Sequence, residues 1–498
     1  MSETGAGRAN DPNASDGADG ANGADEADGA DDGGGFGVAT AVALGVGGIV
    51  GGGIYAAIGI VVMASGLLTW FSYALATLVV FCCAYSYVQM NAITDSQGGS
   101  VAFIEEVTGR TTVAAVIGWT LAVGYVGTMA MYAYAFGAYG QMLVGVEYVW
   151  GLPFRPFLSV GIVAVFVALN IAGAGASGAA ERYLVFVQAG IIAAFGVVGL
   201  WFGLRTGQLQ SGLSEFGISP VVGASVGFVS FEGWQLLFYD QGQFADPQET
   251  LERGVFVSIP VAAAIYVLVG FVVTSLLPVA VVTAQPEAAL LYGSLEISAW
   301  LALAVGVSGL VATASAINST LLSEAMFAKR LVSEGILPER MAADVDADPG
   351  GAGDDGANGA ESDDAGDDGD EGDSADAGEE TPTRAILVIG GLTAAFAVLG
   401  SLEAVVEFAS LAFIAVFGTV SGLAVLERSE GDYSVVPPLV GVVGSAAFFV
   451  MLLWFLYSRL PHVFYLVFAI AAVVFAVEGL YFERESIAEG IQRVERNA

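Results

Sequence analysis

The chain is 498 residues long and 55% hydrophobic, with a mean hydropathy of +0.71 and a formal charge of −36 from 15 Lys+Arg against 51 Asp+Glu. Apolar excess and high net charge rarely coexist in one soluble globular domain, so the two must occupy different stretches. Two cysteines, one histidine and no basic patch exclude a disulfide scaffold, a multi-imidazole metal site and a nucleic-acid footprint.

Residues 1–35 carry nine acids and one base, Arg8. They lack the basic region and apolar core of a signal peptide and predict a disordered acidic tail. From residue 36 the chain is a succession of apolar runs. A transmembrane helix needs about 20 residues to cross ~30 Å of hydrocarbon. Twelve runs qualify, at 37–60, 64–90, 112–145, 157–174, 183–205, 218–239, 254–279, 296–327, 384–401, 404–427, 436–458 and 461–482. Between the eighth and ninth lies Asp/Gly/Ala low complexity, with sixteen acids and no base over 344–380. It has nothing to bury and predicts a disordered loop. The expected plan is therefore a tail (1–35), spans 1–8 (36–342), an acidic loop (343–382), spans 9–12 (383–483) and a C-terminal tail (484–498).

With the N-terminus in the cytoplasm, alternate assignment of the loops leaves only Arg155, Arg205 and Arg459 outside and the other twelve bases inside. The positive-inside rule then predicts a multi-pass protein of the cell membrane, with both termini and the acidic loop cytoplasmic. Lys329 is the only lysine, and outside the two acidic tracts 26 acids still face 14 bases. This residual acidity suggests the salt-rich interior of a halophilic archaeon, where ions screen self-repulsion. Full stability of the protein in low salt would count against that hypothesis.

Two spans carry features that a plain bilayer helix does not need. The first reads LGVGGIVGGGIYAAIG, with Gly51, Gly52 and Gly53 in succession at mid-span. Each glycine lowers helix propensity by about 1 kcal/mol, which predicts a break whose freed N–H groups at Gly51, Gly52, Gly53 and Ile54, next to Val50, attract a carboxylate. Close helix packing is the ordinary alternative. In the sixth span, FVSFEGWQ sets Glu232 and Gly233 inside an apolar run, where a carboxylate is costly and marks a functional site. Carbonyls freed around Ser230 and Phe231 are expected to meet a substrate ammonium. Phe231 and Trp234 flank the break as a candidate aromatic gate. Interruptions at matching places five spans apart point to a transporter built from inverted repeats.

These residues resemble the amino acid–polyamine–organocation (APC) superfamily. IVGGGIYAAIG is similar to its glycine-broken first helix, QGGSVAFIEEVTG (97–109) to its Gly-Gly loop, and FVSFEGWQ to its broken sixth helix. FADPQETLERG and SAINSTLLSEAMFAKRLVSEGILPERM resemble the following loop and the eighth helix. The resemblance implies an all-α, twelve-helix membrane fold with a five-plus-five inverted-repeat core like that of the leucine transporter, broken first and sixth helices, and alternating-access uptake of amino acids. Proton-coupled relatives carry a fifth-helix lysine where YLVFVQAG places Gln188, an amide that cannot cycle charge. Ser315, Ser319 and Thr320 of the eighth helix, with carbonyls near Gly48, offer oxygen ligands for Na⁺; bonding back to their own helix is the alternative. Glu232 as a proton carrier is the rival coupling device.

Elsewhere, Glu324 near Lys329 and Arg330 reads as an ion pair at the helix end, and Glu403 and Glu407 as solvated groups at the membrane interface. An ion-driven amino acid permease or exchanger is the leading reading, with small-molecule substrate, H⁺ or Na⁺ and the lipid bilayer as partners, no nucleic acid and no cofactor. A same-fold carrier of polyamines, organic cations or inorganic ions, and a non-transporting sensor, are the alternatives. A membrane enzyme lacks the clustered His, Cys or paired acids it needs, and there is no phosphate-binding Gly-x-x-x-x-Gly-Lys-Ser/Thr motif.

Overall fold

The computed structural model describes residues 35–94, 99–173, 178–239, 241–333 and 382–469, with the isolated residues 472 and 476. Both acidic tracts, the C-terminal tail and half of the twelfth span lie outside the described residues.

Eleven of the expected spans have helical counterparts. They are α1 (Val38–Ser65), α2 (Thr69–Ile93), α4 (Thr111–Val144), α5 (Phe154–Ile171), α6 (Gly178–Thr206), a sixth span opening with α7 (Ser219–Val226), α8 (Pro247–Leu276), α11 (Ala299–Ser333), α12 (Thr383–Leu399), α13 (Leu402–Leu426) and α14 (Val436–Arg459). Helical backbone at 461–469 opens the twelfth. Three shorter helices fall where loops were expected: α3 (Gly99–Thr108), α9 (Val279–Ala284) and α10 (Ala289–Leu295).

The packing is that of two five-span halves related by symmetry. α1 lies on α8 as α7 lies on α2; α4 packs on α13 as α11 packs on α6; α4 meets α5 as α11 meets α12. α1 runs through the middle, touching α6, α7, α8 and α11. It is apolar on every side, as a helix buried all round must be. By contrast α5 and α14 leave Phe157, Val165, Val443, Val450 and Trp454 exposed, a surface suited to lipid.

The expected break in the first helix is absent: α1 is one continuous α-helix of 28 residues, so Gly51, Gly52, Gly53 and Ile54 offer no unwound N–H groups. Packing explains the glycines instead. A Cβ on Gly52 would overlap the Tyr132 ring, one on Gly53 would stand 2.6 Å from the Ser230 carbonyl oxygen, and one on Gly59 would strike the backbone of Pro286. Close approach by three neighbours outweighs a helix-propensity cost of about 1 kcal/mol per glycine.

The two ends of α1 differ. Near its C-terminal end the Tyr55 and Ser308 hydroxyls are hydrogen-bonded at 2.7 Å, and Tyr139 Oη donates to the Tyr55 carbonyl at 3.3 Å. With Gly59 against Pro286, this part of α1 is closely packed. At the N-terminal end, Phe36 is strapped to the loop before α8 by two backbone bonds, Phe36 N to Gln243 O at 2.7 Å and Ala245 N to Phe36 O at 3.1 Å. Tyr55→Phe removes one side-chain hydrogen bond and is expected to cost about 0.5–1.5 kcal/mol. Thermal unfolding in detergent checks this; an unchanged midpoint would mean the pair holds nothing.

Candidate functional site

The sixth span breaks where the sequence marks it. After α7 the chain tightens to a 3₁₀ turn at Gly227–Phe231, passes through extended backbone at Glu232 and φ 119° at Gly233, and resumes as a 3₁₀ turn at Trp234–Phe238. A φ that positive suits glycine and strains any residue with a Cβ. In an apolar setting the backbone groups released by such a break need other partners. Side chains from neighbouring helices supply them. Ser410 of α13 donates to the Val226 carbonyl at 2.7 Å and accepts from Val229 N at 3.2 Å. Tyr266 of α8 donates to the Ser230 carbonyl at 2.8 Å and to the Ile49 carbonyl of α1 at 2.6 Å. Gly233 N donates to Gln235 Oε1 at 2.8 Å. The Ser230 carbonyl, expected to meet a substrate ammonium, accepts one of these bonds.

Glu232 lies at the centre of this break and is 2% exposed. Tyr132 Oη donates to its Oε2 at 3.1 Å, and Gln235 Nε2 to its Oε1 at 3.4 Å; the same Nε2 reaches Tyr125 Oη at 3.3 Å. Both tyrosines come from α4. All these partners are neutral, so the carboxyl is oriented without a counter-ion.

Gly233 rests directly on Gly48. A Cβ on Gly48 would lie 3.1 Å from the Gly233 backbone, and one on Gly233 would meet the Gly48 Cα at 2.7 Å. α1 and the break thus touch backbone to backbone. Beside this contact opens a cavity of about 130 Å³. Gly48 and Gly51 of α1, Gln188 of α6, Gly233 of the break, and Ser315, Ser319 and Ser323 of α11 line it, and Gln243 and Phe244 of the strap lie at its edge. The Gln188 side chain is 3% exposed and its Nε2 has no hydrogen-bond partner among the described residues. Ser319 donates to carbonyls of its own helix, Ser315 at 3.1 Å and Ala316 at 3.3 Å, which leaves its lone pairs toward other donors or cations.

Four of the five residues singled out for ion coupling, Gly48, Gln188, Ser315 and Ser319, therefore meet at one cavity, together with Gly51 and Gly233. Thr320 does not line it: one residue turns a helix by about 100°, and Thr320 is buried elsewhere. Ser323, Gln243 and Phe244 were missed. Ser323 continues the i, i+4 row of Ser315 and Ser319, a spacing that could have found it.

The remaining residues lie in packed core. Val50, Ile54, Ser230, Phe231 and Trp234 are buried and do not reach the cavity. The Trp234 ring is 5.0 Å from Tyr87 and 5.1 Å from Phe417, and Phe231 is 5.0 Å from Tyr266. These contacts make them packing aromatics in this conformation rather than an open gate. Two acids are more deeply buried than expected. Glu324 is 2% exposed and its Oε2 has no partner among the described residues; the Arg330 side chain, named with it in the expected ion pair, lies outside them. Glu407 is 0% exposed with neither oxygen partnered, not a solvated interface group; only Glu403, one turn earlier, is partly exposed.

The sequence profile described as amino acid permease matches residues 36–480. Among relatives, the inner membrane transport protein YbaT of Escherichia coli is 25% identical over 61% of this chain and 71% of its own length. Cationic amino acid transporter 4 of Mus musculus is 23% identical over 78% of this chain and 58% of its own length. Among solved structures, a mutant of the Eremococcus coleocola manganese transporter matches with a TM-score of 0.51 at 10% identity, over 89% of this chain and 93% of that one. That likeness is one of fold.

Proposed function

The chain belongs to the amino acid permease family, and from that premise we propose that it carries an amino acid across the cell membrane by alternating access, driven by an ion gradient or by exchange. The observation that carries this reading is the unwound sixth span laid on α1 at Gly233 and Gly48, with a cavity at the junction and Glu232 behind it. A contact between two backbones, free of interlocking side chains, is one that two helices can make and break in a cycle. The close packing around Tyr55 and the cavity toward the N-terminal half of α1 support a state open toward the N-terminal end of that helix. The arginine distribution supports a cytoplasmic position for that side and for both termini.

For coupling we favour the proton, on Glu232: it is a buried ionisable group held by neutral donors at the break itself. Sodium is the second reading, favoured by the meeting of Gly48, Ser315 and Ser319 at the cavity. Gln188 cannot change charge and serves as a fixed neutral wall in either case. In keeping with the names of relatives such as the mouse transporter, cationic amino acids are the first substrates to test.

Uptake into proteoliposomes tests the reading, with cationic, neutral and acidic amino acids offered under separate pH and Na⁺ gradients. The expected result is uptake of at least one class, stimulated when the outside is more acidic and indifferent to Na⁺. Stimulation by Na⁺ alone would transfer the coupling to the cavity residues. No uptake or counterflow of any amino acid would remove the transport reading.

A further inference from the structure

One buried donor at the cavity is unmatched. Gln188 lines the cavity and is 3% exposed, and its Nε2 meets no acceptor among the described residues. An unpaired buried donor is costly, so the site is complete only when an acceptor enters it. Its helix is held close to α1: a Cβ on Gly47 would stand 2.6 Å from Cγ2 of Val185, three residues before Gln188 on α6. α6 also packs on α11, which brings the amide and the row of Ser315, Ser319 and Ser323 to one cavity.

Ser319 supplies the complementary group. Its single proton goes to carbonyls of its own helix, at 3.1 Å and 3.3 Å, so to a ligand it can only offer an acceptor. An amide donor suits a carboxylate, and a hydroxyl acceptor suits an ammonium. Together they match the two ends of a zwitterion.

Charge and volume narrow the ligand further. None of the described residues that line the cavity is charged, and Glu232 is turned to Tyr132 and Gln235 without lining it. A ligand with a net charge would enter without a counter-charge at the wall, whereas a zwitterion is neutral as a whole. A cavity of about 150 Å³ holds benzene, a molecule of about six heavy atoms. This one is about 130 Å³. Glycine and alanine are of that size, while arginine and phenylalanine are about twice it.

We propose that the cavity binds a small neutral amino acid as its zwitterion, with Gln188 Nε2 donating to the carboxylate and the Ser319 hydroxyl oxygen accepting from the ammonium. This inference rests on the amino acid transport reading above and narrows its substrate. It also gives the carboxylate a donor that the continuous helix α1 does not supply.

The test uses the full chain in proteoliposomes and measures self-exchange counterflow of glycine, alanine, leucine, phenylalanine, lysine and glutamate. Wild type should exchange glycine and alanine and leave the other four near background. Propionate and ethylamine, which are alanine without its ammonium and without its carboxylate, should each inhibit alanine counterflow far less than alanine itself does. Gln188→Leu keeps the bulk of the side chain and removes the donor. It should raise the KM for alanine about tenfold or more, with the maximal rate changed less. In Gly51→Ala the new Cβ would stand 3.8 Å from the Ala316 Cβ, an ordinary contact, so the fold accepts it while the cavity loses the volume of a methyl group. The KM of alanine relative to that of glycine should rise about tenfold.

A wild-type KM for alanine in Gln188→Leu would overturn the proposal. So would wild-type exchange of lysine or phenylalanine as good as that of alanine. Should Gln188→Leu not fold, an unchanged alanine-to-glycine KM ratio in Gly51→Ala is the overturning result. Absence of counterflow for every amino acid in the panel would instead sink the transport reading, and so is a separate outcome.

Discussion

Gly233→Ala is expected to abolish transport and to lower the thermal stability of the protein. Two costs add. The backbone at φ 119° strains a residue with a Cβ by about 1–3 kcal/mol. The new methyl group would also stand 2.7 Å from the Gly48 Cα, and that neighbour is the backbone of the central helix, with no rotamer to change. Relief requires α1 and the break to separate, which displaces Ile49 from Tyr266 and opens the cavity wall. Gly242→Ala is the control, since a Cβ there meets nothing within 4 Å. Unfolding temperature and counterflow, measured side by side, decide the matter. Wild-type values for Gly233→Ala would show that the backbone contact is slack.

Gly52→Leu is expected to be nearly as severe, through a different partner. Any side chain at residue 52 would overlap the Tyr132 ring, which is 1% exposed and packed on all sides. Overpacking of this kind costs about 1–3 kcal/mol. The larger effect is on function, because the displaced tyrosine is the hydroxyl donor to Glu232 Oε2. Tyr132→Phe separates the two effects: it keeps the ring and removes only the donor. Loss of uptake in Gly52→Leu, with a milder change in pH dependence in Tyr132→Phe, is the expected pair of results. Normal uptake by Gly52→Leu would mean that the Tyr132 position is immaterial.

The spans were legible because crossing hydrocarbon demands a long run of apolar residues, and no other feature of the chain produces one. The break at Glu232 and Gly233 was legible for a related reason: a carboxylate beside glycine in such a run has few structural explanations. The glycines of the first span misled because propensity is a property of a helix alone. What lies opposite Gly52, Gly53 and Gly59 is Tyr132, Ser230 and Pro286, and these come from segments 80 to more than 200 residues away in sequence. Burial of Glu324 and Glu407 was equally hidden, since an acid near a helix end looks solvated until the neighbouring helices are placed. The row formed by Ser315, Ser319 and Ser323 was available from helical spacing, and only its last member was passed over. The short helices α9 and α10 are too brief to show as spans, and their role in closing one end of α1 depends on contacts with that helix.

Tyr266 gives the Gly48–Gly233 junction a further property. Its hydroxyl lies 2.6 Å from the Ile49 carbonyl and 2.8 Å from that of Ser230, yet a hydroxyl carries one proton. The two bonds are therefore alternatives in time, one strong at the other's expense. In the proposed cycle, a parting of α1 from the sixth span would let that proton settle on whichever carbonyl stays near α8, so opening would break less hydrogen bonding than two independent bonds would require.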